Sequence, residues 1–209
     1  MRLETAERVV RWAGAAGVFA FTLVVLNGLR EGARRPKGRE SGSGPFVARG
    51  SLAFYLPAAI VGLWIGYRLW RPLPLRLSPA VRAVALAVGG PLLASGLALM
   101  FWGRATLGRM YDVSSGFGAR LYADHQLITG GPFALVRHPM YLGAQMAEIG
   151  ALLIYRTWSS ALIGLNALTL VQRARREEEA LAAEFGAAWE AYRARVPFLY
   201  PRLAEARRR

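Results

Sequence analysis

The 209-residue chain contains no cysteine, which excludes disulfides and thiolate metal sites. Its only two histidines, His125 and His138, lack the close spacing of a helical zinc pair, and no structural metal is expected. Phosphate-cradling loops of the Walker or Rossmann type are absent. Charge is scarce: Asp, Glu, Lys and Arg make up 19% of the residues, where soluble domains carry about a quarter. Acids are scarcer than bases, 13 against 27, for a formal net charge of +14. A basic surplus often marks nucleic-acid binders. Here, however, the arginines cluster between long apolar runs, as in membrane proteins, and no nucleic-acid partner is expected.

What is abundant is apolar sequence, 54% of the chain. Five runs stand out: Ala13–Leu29, Ser51–Tyr67, Val81–Trp102, Met140–Tyr155 and Ser159–Val171. At 1.5 Å per residue, runs of this size approach the roughly 30 Å of a hydrocarbon core. Glu4 and Glu7 precede the first run and no small-x-small site follows it, so it reads as an uncleaved helix rather than a signal peptide. A polar linker, Arg30–Arg49, follows. Gly89, Gly90 and Pro91 inside the third run favour a kink or a close helix contact. Arg156, Thr157 and Trp158 alone separate the last two runs, which reads as a tight helical hairpin. The expected fold is all-α: a polytopic membrane bundle of about five transmembrane helices. A C-terminal amphipathic helix, Gln172–Val196, and a tail, Pro197–Arg209, would follow. With the C-terminus cytoplasmic, 19 of the 27 Lys and Arg fall on that side, the bias expected of cytoplasmic loops.

Two polar segments are not needed for topology and are where function is sought. One is DHQLITGGPFALVRHPMYLG, Asp124–Gly143. Pro139 suits the first turn of a helix, whose free N–H groups suit an anionic or oxygen-rich ligand. His138 and Tyr141 would share a face of that turn. The competing reading is an interfacial anchor gripping headgroups. The other segment is Gln172–Phe198. Leu181, Phe185, Trp189, Tyr192 and Val196 recur at helical steps, and stepping back by fours reaches Glu177 and Arg173. The alternative for that pair is an ordinary i,i+4 contact on an exposed face.

Together the two segments resemble the isoprenylcysteine carboxyl methyltransferase family of integral membrane enzymes, in a short, prokaryotic-type form. The family couples H-x-L-V-T-x-G-x-Y, RHPxYxG, a transmembrane hairpin, and a double glutamate before L-x-x-x-F-G-x-x-Y. This chain reads HQLITGGPF, RHPMYLG, a hairpin, and EEEALAAEFGAAW. The resemblance implies S-adenosyl-L-methionine as cofactor and a lipophilic or lipidated acceptor within membrane lipid. It implies a division into N-terminal helices, 1–102, and a methyltransferase core, 103–209. By resemblance, His125, Gln126, Leu127 and Ile128 line the adenosyl end, with Phe133 beside them. His138, Pro139, Met140 and Tyr141 form another wall, Glu177 binds a polar group of the cofactor, and Arg173 faces the acceptor. Phe133 stands where tyrosine is common, and Trp189 replaces the tyrosine after F-G. No catalytic base is expected. The implied reaction is carboxyl O-methylation of a prenylcysteine-like substrate. A phospholipid N-methyltransferase, with Glu178 as the useful carboxylate, and a nicotinamide-dependent membrane reductase are the alternatives, beside a scaffold that has kept the fold without the activity.

Overall fold

The computed structural model describes residues 2–32, 52–111, 121 and 123–201. Most of the polar linker and the end of the tail lie outside the described residues. Five α-helices are present among those described: α1 (Leu3–Gly32), α2 (Leu52–Arg68), α3 (Pro79–Leu107), α4 (Pro139–Tyr155) and α5 (Trp158–Arg195). Short 3-10 turns occupy Gly108–Met110 and Gly131–Ala134. The all-α expectation holds.

The helix starts follow local chemistry. Ser78 caps α3 by accepting from the Val81 N–H at 3.3 Å, and Pro79 occupies the first turn. Thr157 and Ser160 form a reciprocal capping box at the head of α5. Between α4 and α5, Arg156 adopts a left-handed conformation (φ 53°, ψ 46°), which produces the hairpin expected at Arg156–Trp158. The segment after α2 pins that turn: Leu73 N–H donates to Arg156 O at 2.8 Å, and Trp158 N–H to Arg71 O at 3.0 Å.

The core of the bundle is the α3–α4 pair. Gly89, Leu93 and Gly96 on α3 meet Gly143, Ala147 and Gly150 on α4. A Cβ on Gly96 would lie 2.5 Å from Gly143 O, and one on Gly150 would lie 2.5 Å from Leu93 N. Backbones this close leave no space for a side chain, the packing used where lipid replaces water as solvent. Of the two outcomes expected near Gly89, the close contact is thus realised. Helix α1 joins the pair through Gly14 against Leu93, an edge-to-face contact of Phe21 with Phe101 at 5.2 Å, and the Tyr155 hydroxyl donating to Arg11 O at 2.6 Å.

Two boundaries differ from expectation. Helix α1 begins ten residues before its apolar run. The buried Glu7 carboxylate is paired with both Arg82 and Arg156, so the charged first turns remain packed. The separate amphipathic helix expected from Gln172 is instead a continuation of α5, because its Arg, Glu and Ala residues are good helix formers. The interruption falls later, at Gly186 (φ 48°).

Two helices are long and apolar enough to cross a membrane, Leu3–Gly28 and Pro79–Met110. Only 6% and 22% of their apolar windows are buried, unlike the core helix of a water-soluble protein. Large exposed side chains such as Trp12, Phe19, Leu63, Val84 and Leu165 extend the same apolar surface around the bundle.

Candidate active site

At the C-terminal end of α3 and the head of α4, the chain encloses a cavity of about 190 Å³. His125, Gln126, Leu127, Ile128, Phe133, His138, Pro139, Met140, Tyr141, Arg173 and Glu177 all border it. The cofactor and acceptor residues implied by the resemblance therefore border one space, although they come from a loop, a 3-10 turn and two helices; Glu178, the carboxylate named for the amine alternative, does not line it.

The local reasons are readable. Residues 125–129 form no helix or strand, so their backbone N–H and C=O groups are not consumed in regular structure. His138 is the N-cap of α4, Pro139 sits in the first turn, and no side chain caps the helix. The first-turn N–H groups stay available beside the cavity. Tyr141, one turn into α4, donates its hydroxyl to Glu177 Oε1 at 2.5 Å. Arg173 stands one turn before Glu177 on α5, and both border the cavity, so the pair is more than an exposed-face contact.

The second glutamate does something else. Glu178 receives the Arg137 guanidinium on both oxygens, at 2.7 and 3.3 Å, and meets His138 Nε2 at 3.0 Å. Burial alone would raise its carboxyl pKa, but the hydrogen bonds from His138 and Arg137 outweigh burial and hold it below the usual carboxylate range. The other ring nitrogen of His138 lies 3.7 Å from Glu177 Oε2, and its ring stacks on Tyr141 at 5.7 Å. One imidazole thus stands between the two adjacent carboxylates.

Arg137 also reaches past Glu178. Its Nη1 donates to Arg193 O at 3.0 Å and Val196 O at 2.6 Å, and its backbone N–H donates to Pro197 O at 2.9 Å. The end of α5 is thereby tied to the loop before α4. This strap was not among the sequence candidates; the RHP motif contained its signal, but its partners lie 41 to 60 residues away.

Behind Gly186, Trp189, Tyr192 and Val196 pack with Leu127, Leu181 and Phe185. Trp189 and Tyr192 reach the cavity wall, as do Met110 and Tyr111 from beyond α3, none of them named in advance as site residues. Tyr192 donates to Phe133 O at 2.7 Å, and burial pushes its hydroxyl pKa up to about 12, so it stays a donor. Tyr192→Phe is expected to cost about 1 kcal/mol, read as a fall of about 2–4 °C in the thermal midpoint.

Residues 89–183 match the isoprenylcysteine carboxyl methyltransferase (ICMT) family. The resemblance read from RHPMYLG and the double glutamate is borne out over that segment. The ICMT match takes in α4, the hairpin, both glutamates and most of the cavity wall, and begins at Gly89 in the α3–α4 contact. A protein-S-isoprenylcysteine O-methyltransferase of Schizosaccharomyces pombe is 37% identical over 76 residues, 35% of this chain and 32% of the yeast protein. The alignment thus spans about a third of the length of that curated relative.

Proposed function

We propose that the chain is an integral membrane S-adenosylmethionine-dependent methyltransferase whose acceptor is the carboxylate of a prenylcysteine-like, lipophilic substrate. The observation that carries this reading is the single cavity in which the HQLI loop, the RHPMY helix start and the Arg173–Glu177 pair converge. In this reading α1 to α4 and the first half of α5 cross the membrane, and the cavity opens on the cytoplasmic side, where the arginine bias lies. Residues 103–209 form the core that does the chemistry, completed by the end of α3.

The donor set suits the cofactor. S-adenosylmethionine carries both charge signs and a flat base; the cavity offers Arg173, Glu177, a loop at 125–129 that lies outside any helix or strand, and walls of Phe133, Tyr141, Leu181 and Trp189. When bound, the cofactor supplies a methyl group on a sulfonium sulfur, and its in-line transfer to a carboxylate oxygen leaves a thioether and a methyl ester. The protein's part is alignment and exclusion of water. Glu177, oriented by the Tyr141 hydroxyl, holds a polar or cationic group of the cofactor. Arg173 holds one oxygen of the acceptor carboxylate by a charge-assisted hydrogen bond while the other is aimed at the methyl. A carboxylate is ionised at neutral pH, so no base is required. An amine acceptor would need one, and Glu178, the nearby carboxylate outside the cavity wall, is committed to Arg137 and His138. That favours the carboxylate acceptor over the phospholipid amine.

The test is calorimetric binding of S-adenosylmethionine and its demethylated product to detergent-purified protein. Saturable binding is expected, weakened at least tenfold, about 1.4 kcal/mol, by Glu177→Ala. A folded protein that binds neither ligand would end the proposal.

A further inference from the structure

A second cavity, of about 990 Å³, lies at the opposite end of the bundle, between the start of α1, the segment before α3 and the turn after α4. The length of α4, about 25 Å, separates it from the cofactor cavity. Five arginines border it against two glutamates, Glu4 and Glu7. Three of the five are occupied. Arg82 and Arg156 neutralise the buried Glu7, and Arg11 donates Nε and Nη2 to Ile154 O at 3.2 and 3.1 Å. Arg8 and Arg76 are exposed and make no ion pair or hydrogen bond to another described residue. They stand on different elements and face one space whose floor, with Arg82, Arg156 and Arg11 against the single Glu7 carboxylate, is already net positive. The one further acid at the rim, Glu4, is exposed.

The surroundings are of two kinds. Trp12 and Trp70, exposed by 73% and 56%, border the same cavity, as does Leu75 at 56%. Tryptophans beside cations are the residue set of a membrane–water interface. Guanidinium forks match the oxygens of a phosphate, which they bind through paired, charge-assisted hydrogen bonds. A ligand with a phosphate head and apolar chains would satisfy both sets at once.

We propose that this cavity binds a phosphate group, carried by the headgroup of an anionic phospholipid, with Arg8 and Arg76 as its clamps. The inference rests on the membrane reading above but not on the methyltransferase chemistry. The site would anchor α1 and the α4–α5 turn at the membrane surface remote from the cofactor.

Delipidated protein in neutral detergent is titrated with phosphatidylglycerol, phosphatidylcholine or inorganic phosphate, and the thermal midpoint is followed. Phosphatidylglycerol is expected to raise the midpoint by about 3 °C or more beyond phosphatidylcholine. In Arg8→Gln/Arg76→Gln that excess disappears, while Arg8→Lys/Arg76→Lys keeps part of it. Equal protection by inorganic phosphate would assign the site to the free ion and overturn the lipid. Equal protection by the two lipids, or a double glutamine variant that responds like the parent, would overturn the site. Cofactor binding by calorimetry on the same preparations is expected to be unchanged within about twofold. Its absence in the parent would count against the methyltransferase reading and leave the lipid result standing.

Discussion

Arg137→Ala is expected to cost about 3–5 kcal/mol of stability, the range for removing one partner of a buried ion pair, and to abolish cofactor binding with it. The Arg137 side chain is 10% exposed and Glu178 is 16% exposed. Alanine would leave the carboxylate with His138 alone and strip donors from Arg193 O and Val196 O. It would also remove the cation lying 5.6 Å from the Phe198 ring and 6.0 Å from Trp189. The segment released carries Trp189 and Tyr192, both of which border the cavity, so the pocket loses a wall as the helix end detaches. Arg137→Lys should recover only part, because an ammonium is a point charge and cannot repeat the fork that spans carboxylate and carbonyls. The same pair sets a pH dependence. Glu178 has a folded pKa below its ordinary value, so its contribution is complete above the ordinary carboxylate range and is lost as pH falls through the depressed value. Thermal midpoints of the parent and Glu178→Gln should therefore differ most near neutrality and converge in acid. A difference constant from neutral to acid pH would contradict the role given to the pair.

Which parts of this arrangement could be read from the sequence follows from the range over which each is determined. The start of α4 was legible because proline in a first turn is a local signal, and Pro139 carries it alone. The shared placement of Arg173 and Glu177 was legible because a four-residue step is fixed by helix geometry. The Arg137 strap was not, since its acceptors are backbone carbonyls 56 and 59 residues on, and carbonyls have no sequence identity. The Gly89–Gly90–Pro91 cluster suggested a kink or a close contact, but the seating of Gly89 and Gly96 against Gly143 and Gly150 is a property of the helix pair and not of either helix alone. The fall in hydropathy at Gln172 marked a change of solvent rather than a change of backbone, and α5 continues through it. The break belongs to Gly186, where a residue without a Cβ admits a positive φ. Helix α1 reached further back than its apolar run because the partners of Glu7 come from α3 and the hairpin turn, beyond any local window.

Two neighbouring residues on α5 should separate binding from turnover. Arg173→Ala is expected to lower kcat/KM toward a prenylcysteine carboxylate by about 10- to 100-fold, the worth of one hydrogen bond to a charged group, with the affinity for S-adenosylmethionine little changed. Glu177→Ala should do the reverse at saturating acceptor: cofactor affinity falls at least tenfold, and raising the cofactor concentration restores most of the turnover. The contrast follows from position. Glu177 is held by the Tyr141 hydroxyl against the wall built by the RHPMY turn. Arg173 sits one helical turn nearer the apolar part of the bundle, toward which a lipid-borne carboxylate would arrive. A conservative Arg173→Lys should retain part of the rate, since one oxygen needs only one charged donor. If Arg173→Ala left both turnover and acceptor affinity unchanged, the acceptor would have to be held elsewhere. If it weakened cofactor and acceptor alike, Arg173 would belong to the cofactor's own shell. Steady-state kinetics with each substrate varied in turn, beside calorimetry of the cofactor alone, distinguishes these outcomes. It does so without knowing the physiological acceptor, because any lipophilic carboxylate that is turned over reports on the same arginine.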